Sequence, residues 1–264
     1  MAKLTPNGSL IGKVGILSYY KMRGVEGTIV RTKGGPSKSK IKKSPNFEIV
    51  RKNNREFGAR STVSRNIMAA LNPHKIVADH NIAGPVHSLL RKVQLMDDKS
   101  EVGKRNIQVS RMPQLFQGFS LNRKHPFDSI VRTPLQYHIS GDDVSGVVEI
   151  PALLPGINFV CPFFNPMFRV SACLGMVGDH QFVGGRYYTP PICDGRNKQQ
   201  AQTAWFPVAT GSAPQVLTMK LVVPPPDQHF ILLLSMAIFL GNVASEGNIQ
   251  QVPYVGAAKV LAVL

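Results

Sequence analysis

The chain has 264 residues, 43% of them hydrophobic and 17% charged, which excludes a disordered protein and allows a substantial core. Its formal net charge is +16 and is one-sided: 24 of the 31 Lys and Arg lie between Lys3 and Lys124 with 7 of the 15 acids, against 7 bases and 8 acids in the remainder. The basic half is suited to a polyanion, while the neutral half has no electrostatic preference.

In chain order, Gly12 to Lys33 reads as a β-hairpin. Val14, Ile16, Tyr19 and Tyr20 supply strand formers, Arg23-Gly24-Val25-Glu26-Gly27 supplies the turn, and Thr28-Ile29-Val30 begins the return strand. Gly34-Gly35-Pro36 and the run Ser37 to Lys43 follow. The run carries Lys38, Lys40, Lys42 and Lys43 and reads as a flexible basic arm.

Ser44-Pro45 is a helix start, with a serine N-cap, proline at the first helical position and Glu48 in the first turn. Val50, Phe57, Ser64, Ile67 and Leu71 fall on one helical stripe that ends before Pro73. Arg51, Lys52, Arg55, Arg60 and Arg65 occupy the rest of that surface, and Gly58 weakens its middle. A second helix is expected from Gly84 or Pro85 to Met96, facing inward with Val86, Leu89, Leu90 and Val93. Ile107, Val109, Leu115, Phe116 and Phe119 have strand-like surroundings.

After Pro134 the chain becomes short β-type runs separated by Pro, Gly, Asp and Asn. These are 135–140, 144–150, 157–164, 168–176, 181–188, 203–208, 215–223, 230–240 and 257–264. Such spacing without intervening helices predicts an antiparallel β-sandwich. Ile231 to Leu240, the longest apolar run, is about half the length that spans a bilayer and reads as a strand buried on both faces. The expected fold is therefore α+β, mainly β: a basic hairpin and arm over 1–43, a helical region over 44–125, and a sandwich over 126–264.

The elements Ile11-Gly12-Lys13-Val14-Gly15 through Tyr19-Tyr20-Lys21 and Arg31-Thr32-Lys33, with Arg55-Glu56-Phe57-Gly58 further on, resemble a group of uncharacterised proteins common in Bacteroidota. That resemblance implies a β-rich C-terminal half ending in an apolar strand, and implies no activity or site residue.

Local chemistry is sparse. Gly12-Lys13-Val14-Gly15 continues into a strand and so is not a phosphate loop; close packing of its two glycines is expected instead. His74, His80 and His87, with Asp79, lack ligand spacing, and Asp142-Asp143 lacks the alternation of a calcium loop. Asp179-His180 and Cys193-Asp194 read as turns. No GxSxG is present and no pair of the 15 acids is marked out for acid–base work; with no ligand spacing either, neither catalysis nor a metal or other cofactor is expected.

Cys161, Cys173 and Cys193 form no CxxC, and Cys161 and Cys173 have the apolar neighbours of buried thiols. No secretory h-region opens the chain. A cytoplasmic location, or one inside an assembled particle, and no membrane span are expected.

The nucleic-acid-binding candidates are Lys38, Lys40, Lys42, Lys43, Arg51, Lys52, Arg55, Arg60 and Arg65. Tyr19, Tyr20 and Phe47 are near enough in sequence to stack on bases. Expected partners are further copies of the chain, as a homo-oligomer or larger assembly, and DNA or RNA through the basic half. The composite reading is a structural subunit of a phage-like particle, filament or sheath, with an RNA- or ribosome-associated binding protein as the alternative.

Overall fold

A computed structural model describes residues 3–6, 8–22, 26–32, 34–244 and 247–264. The chain divides into two compact units, 1–51 and 52–264. Strand exceeds helix, 38% to 25%, so the α+β, mainly β class holds.

In the first unit the hairpin is part of a four-stranded antiparallel meander. Its strands are β1 (Lys3–Leu4), β2 (Leu10–Val14), β3 (Leu17–Tyr20) and β4 (Ile29–Thr32), in spatial order β1-β2-β3-β4. Of the predicted turn, Arg23, Gly24 and Val25 lie outside the described residues, as does Lys33. Gly15 serves the β2–β3 turn with φ +56° and has open space where a Cβ would stand, so its role is conformational and not close packing. The basic arm is a short helix instead of a flexible segment. Helix α1 (Lys38–Lys43) is capped by Ser37, whose side chain accepts the Lys40 N–H at 3.2 Å.

Helix α2 (Glu48–Ala70) contains the unit boundary and follows a 3₁₀ turn that begins at Pro45. Its buried residues are Glu56, Ala59, Val63, Ser64, Asn66, Ile67 and Ala70. The predicted stripe is right over Ser64, Ile67 and Leu71 and wrong at Phe57, which is 56% exposed. Helices α3 (Asn72–Lys75) and α4 (Ala83–Leu95) follow, then 3₁₀ turns where strand-like residues were expected, and α5 (Phe127–Ile130).

The remaining strands are β5 (Gln136–Ser140), β6 (Ser145–Ile150), β7 (Met167–Gly178), β8 (Gln181–Val183), β9 (Arg186–Tyr188), β10 (Asp194–Gln202), β11 (Phe206–Pro207), β12 (Gln215–Lys220), β13 (Phe230–Val243) and β14 (Ile249–Val263). The main sheet runs β10-β7-β13-β14, with β11 also paired to β7. A second sheet runs β12-β6-β5, and β8 and β9 form a hairpin.

Alternation along β7 and β13 builds two cores. Val170, Leu174, Leu232, Leu234 and Ile238 meet Val148, Leu217 and Met219 of the small sheet. Val177, Ile231 and Leu233 meet Val63, Ile67 and Leu90 of the helices. The helices thus cover the sheet face that the small sheet leaves open.

The strand predicted over 157–164 is absent and the strand β10 was not predicted, each for a physical reason. Residues 157–164 form a loop: Pro155 and Pro162 remove ladder donors, and the Asn158 side chain binds Leu154 N and Ala152 O at 2.7 and 2.9 Å. Polar β10 forms because β7 offers it a ladder from Asp194↔Val177 to Gln202↔Ser171.

Gly195 stands at the irregularity of β10 with φ +85°, where an added Cβ would lie 2.0 Å from Asn66 O in α2. Gly195→Ala is therefore expected to cost about 2–4 kcal/mol in urea unfolding. Gly58→Ala, in open space on α2, should instead stabilise by about 0.5–1 kcal/mol. Equal effects of the two changes would contradict this packing.

Candidate nucleic-acid interface

The nine basic candidates fall into two groups, one in each unit. Lys38, Lys40, Lys42 and Lys43 are all exposed around α1, whose half-buried residues include Ile41. Arg51 is engaged internally. Its Nη1 donates to the carbonyls of Ile41 and Ser44 at 2.8 Å each, holding the end of α1 through its last carbonyls.

In the second unit Lys52 is half-buried beside Gly103, and Arg55 is exposed with its guanidinium 5.6 Å from the Phe182 ring. Arg60 donates to Gln94 Oε1 and lies 5.9 Å from the Phe57 ring, and burial holds its pKa below the ordinary arginine value. Arg65 is exposed. Of the nine, Arg51 and Arg60 carry structural bonds, and the four lysines with Arg55 and Arg65 present their charge to solvent.

A further basic surface appears only once strand register is known. Directly paired residues share a face of a sheet, alternate residues along a strand lie on that same face, and successive residues point to opposite faces. The pairs Lys3↔Ile11, Lys13↔Ser18, Ser18↔Arg31 and Tyr20↔Ile29 place Lys3, Lys13 and Arg31 on one face with Tyr20. The Arg31 guanidinium stands 5.4 Å over the Tyr20 ring.

The pairs Leu4↔Leu10, Val14↔Leu17, Leu17↔Thr32 and Tyr19↔Val30 give the opposite face Leu4, Leu10, Val14, Leu17, Tyr19 and Val30 without a charge. Leu4 is 71% exposed and Val30 50%. None of the described residues of the first unit is buried.

The histidine and carboxylate candidates have local roles. His74 is fully buried, its Nδ1 2.9 Å from Ser235 Oγ and its Nε2 3.0 Å from Ser171 Oγ, and burial pushes its pKa down to about 3. Burial would raise the Asp79 pKa, but Lys124 and Arg123 N–H groups and His80 together hold it below the ordinary carboxylate range.

His180 faces Thr189 Oγ1 at 2.6 Å, and burial lowers its pKa to about 4. Its sequence neighbour Asp179 binds Ser110 through N–H and Oγ–H, so the two form no acid–base dyad. Burial pushes the Cys173 thiol up to about 12 and Cys193 up to about 11, while Cys161 is only half-buried. Among the described residues no group of three His, Cys, Asp or Glu side chains could hold a metal ion, and no helix is long and apolar enough to cross a membrane.

Comparison with family models, curated proteins and solved structures gave no match.

The two depressed histidines make folding acid-sensitive. Below the unfolded-state value near 6.5 the unfolded chain takes up protons that the folded chain excludes until about pH 3 for His74 and 4 for His180. Their contribution is present above about pH 6.5 and is lost as pH falls. Urea unfolding between pH 6 and 4.5 should show stability falling by about 1.4 kcal/mol per pH unit for each histidine. His74→Gln should lower stability at pH 7.5 yet halve that slope, and an unchanged slope would contradict the assignment.

Proposed function

We propose that the chain is a non-enzymatic structural subunit of a large assembly, of the kind that builds a phage-like particle, filament or sheath. The carrying observation is the first unit: a sheet with an apolar face, a basic face and no buried residue among those described. Such a sheet gains little from its own packing, because burial of apolar area is the main term that offsets conformational entropy. Apposition of its uncharged face on the same face of a neighbouring copy supplies that burial without desolvating a lysine or arginine. Lys3, Lys13 and Arg31 then remain at solvent, where they meet a second neighbour or a nucleic-acid backbone.

The second reading, a nucleic-acid-binding protein that works without self-assembly, is favoured by one particular feature. Arg31 over Tyr20, beside Lys13, pairs a cation with an aromatic platform, the combination that suits a single strand.

Light scattering at low and high salt, with and without single-stranded nucleic acid, separates the two. A large homogeneous particle formed by protein alone is expected. Val14→Asp, which puts a charge on the uncharged face, should disperse it to monomers. Lys13→Glu with Arg31→Glu should leave the protein-only mass unchanged and lower the slope of binding against salt by about 2. A monomer that gains mass only with nucleic acid would support the second reading, and a monomer indifferent to both would overturn the two together.

A further inference from the structure

The second unit carries an open groove of about 520 Å³ at the end of the main sheet, beside α3. Its polar lining is dominated by carboxamides: Asn72 from α3, Gln200 and Gln202 from β10, and Gln251 from β14. The buried ring of Phe239 contributes to the lining, Tyr254 contributes an exposed ring, and among the described residues no carboxylate takes part.

Two of the amides are held from behind. Gln200 Nε2 donates to Ser171 Oγ at 2.9 Å, and Ser171 is bonded in turn to buried His74. Gln202 Oε1 accepts from Arg169 Nη1 at 2.6 Å, and that guanidinium is itself fixed 4.2 Å over the Trp205 ring. Gln200 therefore keeps its carbonyl oxygen for another donor, and Gln202 keeps its NH₂ for another acceptor. The Asn72 and Gln251 carboxamides have no partner among the described residues.

The wall is built at a conformational cost. Between the pairs Phe239↔Gly256 and Gly241↔Gln251 the intervening part of β14 bulges out of its ladder. Within the bulge Tyr254 has φ +64° and gives its N–H to Ile76 O at 2.8 Å. A non-glycine residue held in that region stores of order 1–3 kcal/mol. The Tyr254 side chain is nonetheless 76% exposed, so core packing does not explain its placement. The result is an aromatic platform beside pre-positioned groups that both donate and accept.

We propose that this groove binds a neutral glycan. Adjacent ring hydroxyls donate and accept together, as carboxamides do, and the apolar face of a sugar ring lies on an aromatic ring. Among the described lining residues exposed Lys75 alone is charged, and one lysine does not make the phosphate cluster that an anionic ligand would need. Gln200 and Gln202 set orientation, and Tyr254 supplies the platform. This site is independent of the first unit and of the assembly reading.

The test is saturation-transfer NMR on the full chain with maltotriose, cellotriose and triacetylchitotriose, each up to about 10 mM, a range that captures weak sites. At least one is expected to bind, with Tyr254→Gly and Gln251→Ala each weakening it about tenfold or more. Tyr254→Gly removes the ring while leaving a residue that accepts the positive φ without strain, and Gln251→Ala removes an amide without a protein partner, so neither variant should lower the unfolding midpoint. Absence of transfer from all three sugars would overturn the proposal, as would binding unchanged in both variants. Binding of uridine or adenosine monophosphate alone, lost on Lys75→Ala, would overturn it in favour of a nucleotide.

Discussion

The second unit depends on β13 being hydrogen-bonded along both edges and buried on both faces. Phe230 to Gly241 pair with β7, and Leu233 to Val243 pair with β14. Every side chain from Ile231 to Leu240 is buried. A strand in that position has its backbone donors and acceptors satisfied by its neighbours, so its side chains can be apolar on both sides. One side assembles the core beneath the small sheet, and the other assembles the core beneath α2 and α4.

That arrangement makes any polar group on β13 costly unless it is partnered. Ser235 is such a group, and it is satisfied by His74 and by the Cys173 carbonyl at 3.3 Å. Burial holds the histidine neutral beneath the sheet, where it also engages Ser171. Through Ser171 the network reaches Gln200 and the surface. A buried serine in the central strand thus leads, bond by bond, to one wall of the groove.

Sequence reasoning succeeded where a residue's environment follows from its neighbours in the chain. The run 231–240 was legible as a doubly buried strand, and α4 was legible from Val86, Leu90 and Val93. It failed where the deciding partner is remote. Phe57 belongs to the helical stripe by spacing, yet it is exposed, its ring 4.6 Å from His87, while polar Glu56 is buried and accepts the Gly103 N–H at 2.8 Å. Polar β10 gave no β signal because its partner is β7. Gly34-Gly35-Pro36 and four lysines suggested an arm, but serine capping and the Arg51 bonds favour a helix turn. Of the candidate interface, the exposed lysines were legible. The basic face of the meander was not, since Lys3, Lys13 and Arg31 share a side only through register.

The charge asymmetry of the sequence also takes a finer form in the fold. Residues 1–51 hold 11 bases and 2 acids, and residues 52–124 hold 13 bases and 5 acids. In the second group some bases are committed to protein contacts: Arg60 to Gln94, Lys104 to Glu101 and Arg105 near Glu56. In the first unit Arg51 is committed, whereas Lys13, Arg31 and the α1 lysines are exposed. Charge that is already neutralised or hydrogen-bonded adds little to the attraction of a polyanion, because binding would first have to break those contacts. Net positive charge is therefore denser over residues 1–51, where none of the described residues is buried, while the unit with the cores carries the carboxamide groove. Burial, and not composition alone, separates the surface suited to a charged partner from the surface suited to a neutral one.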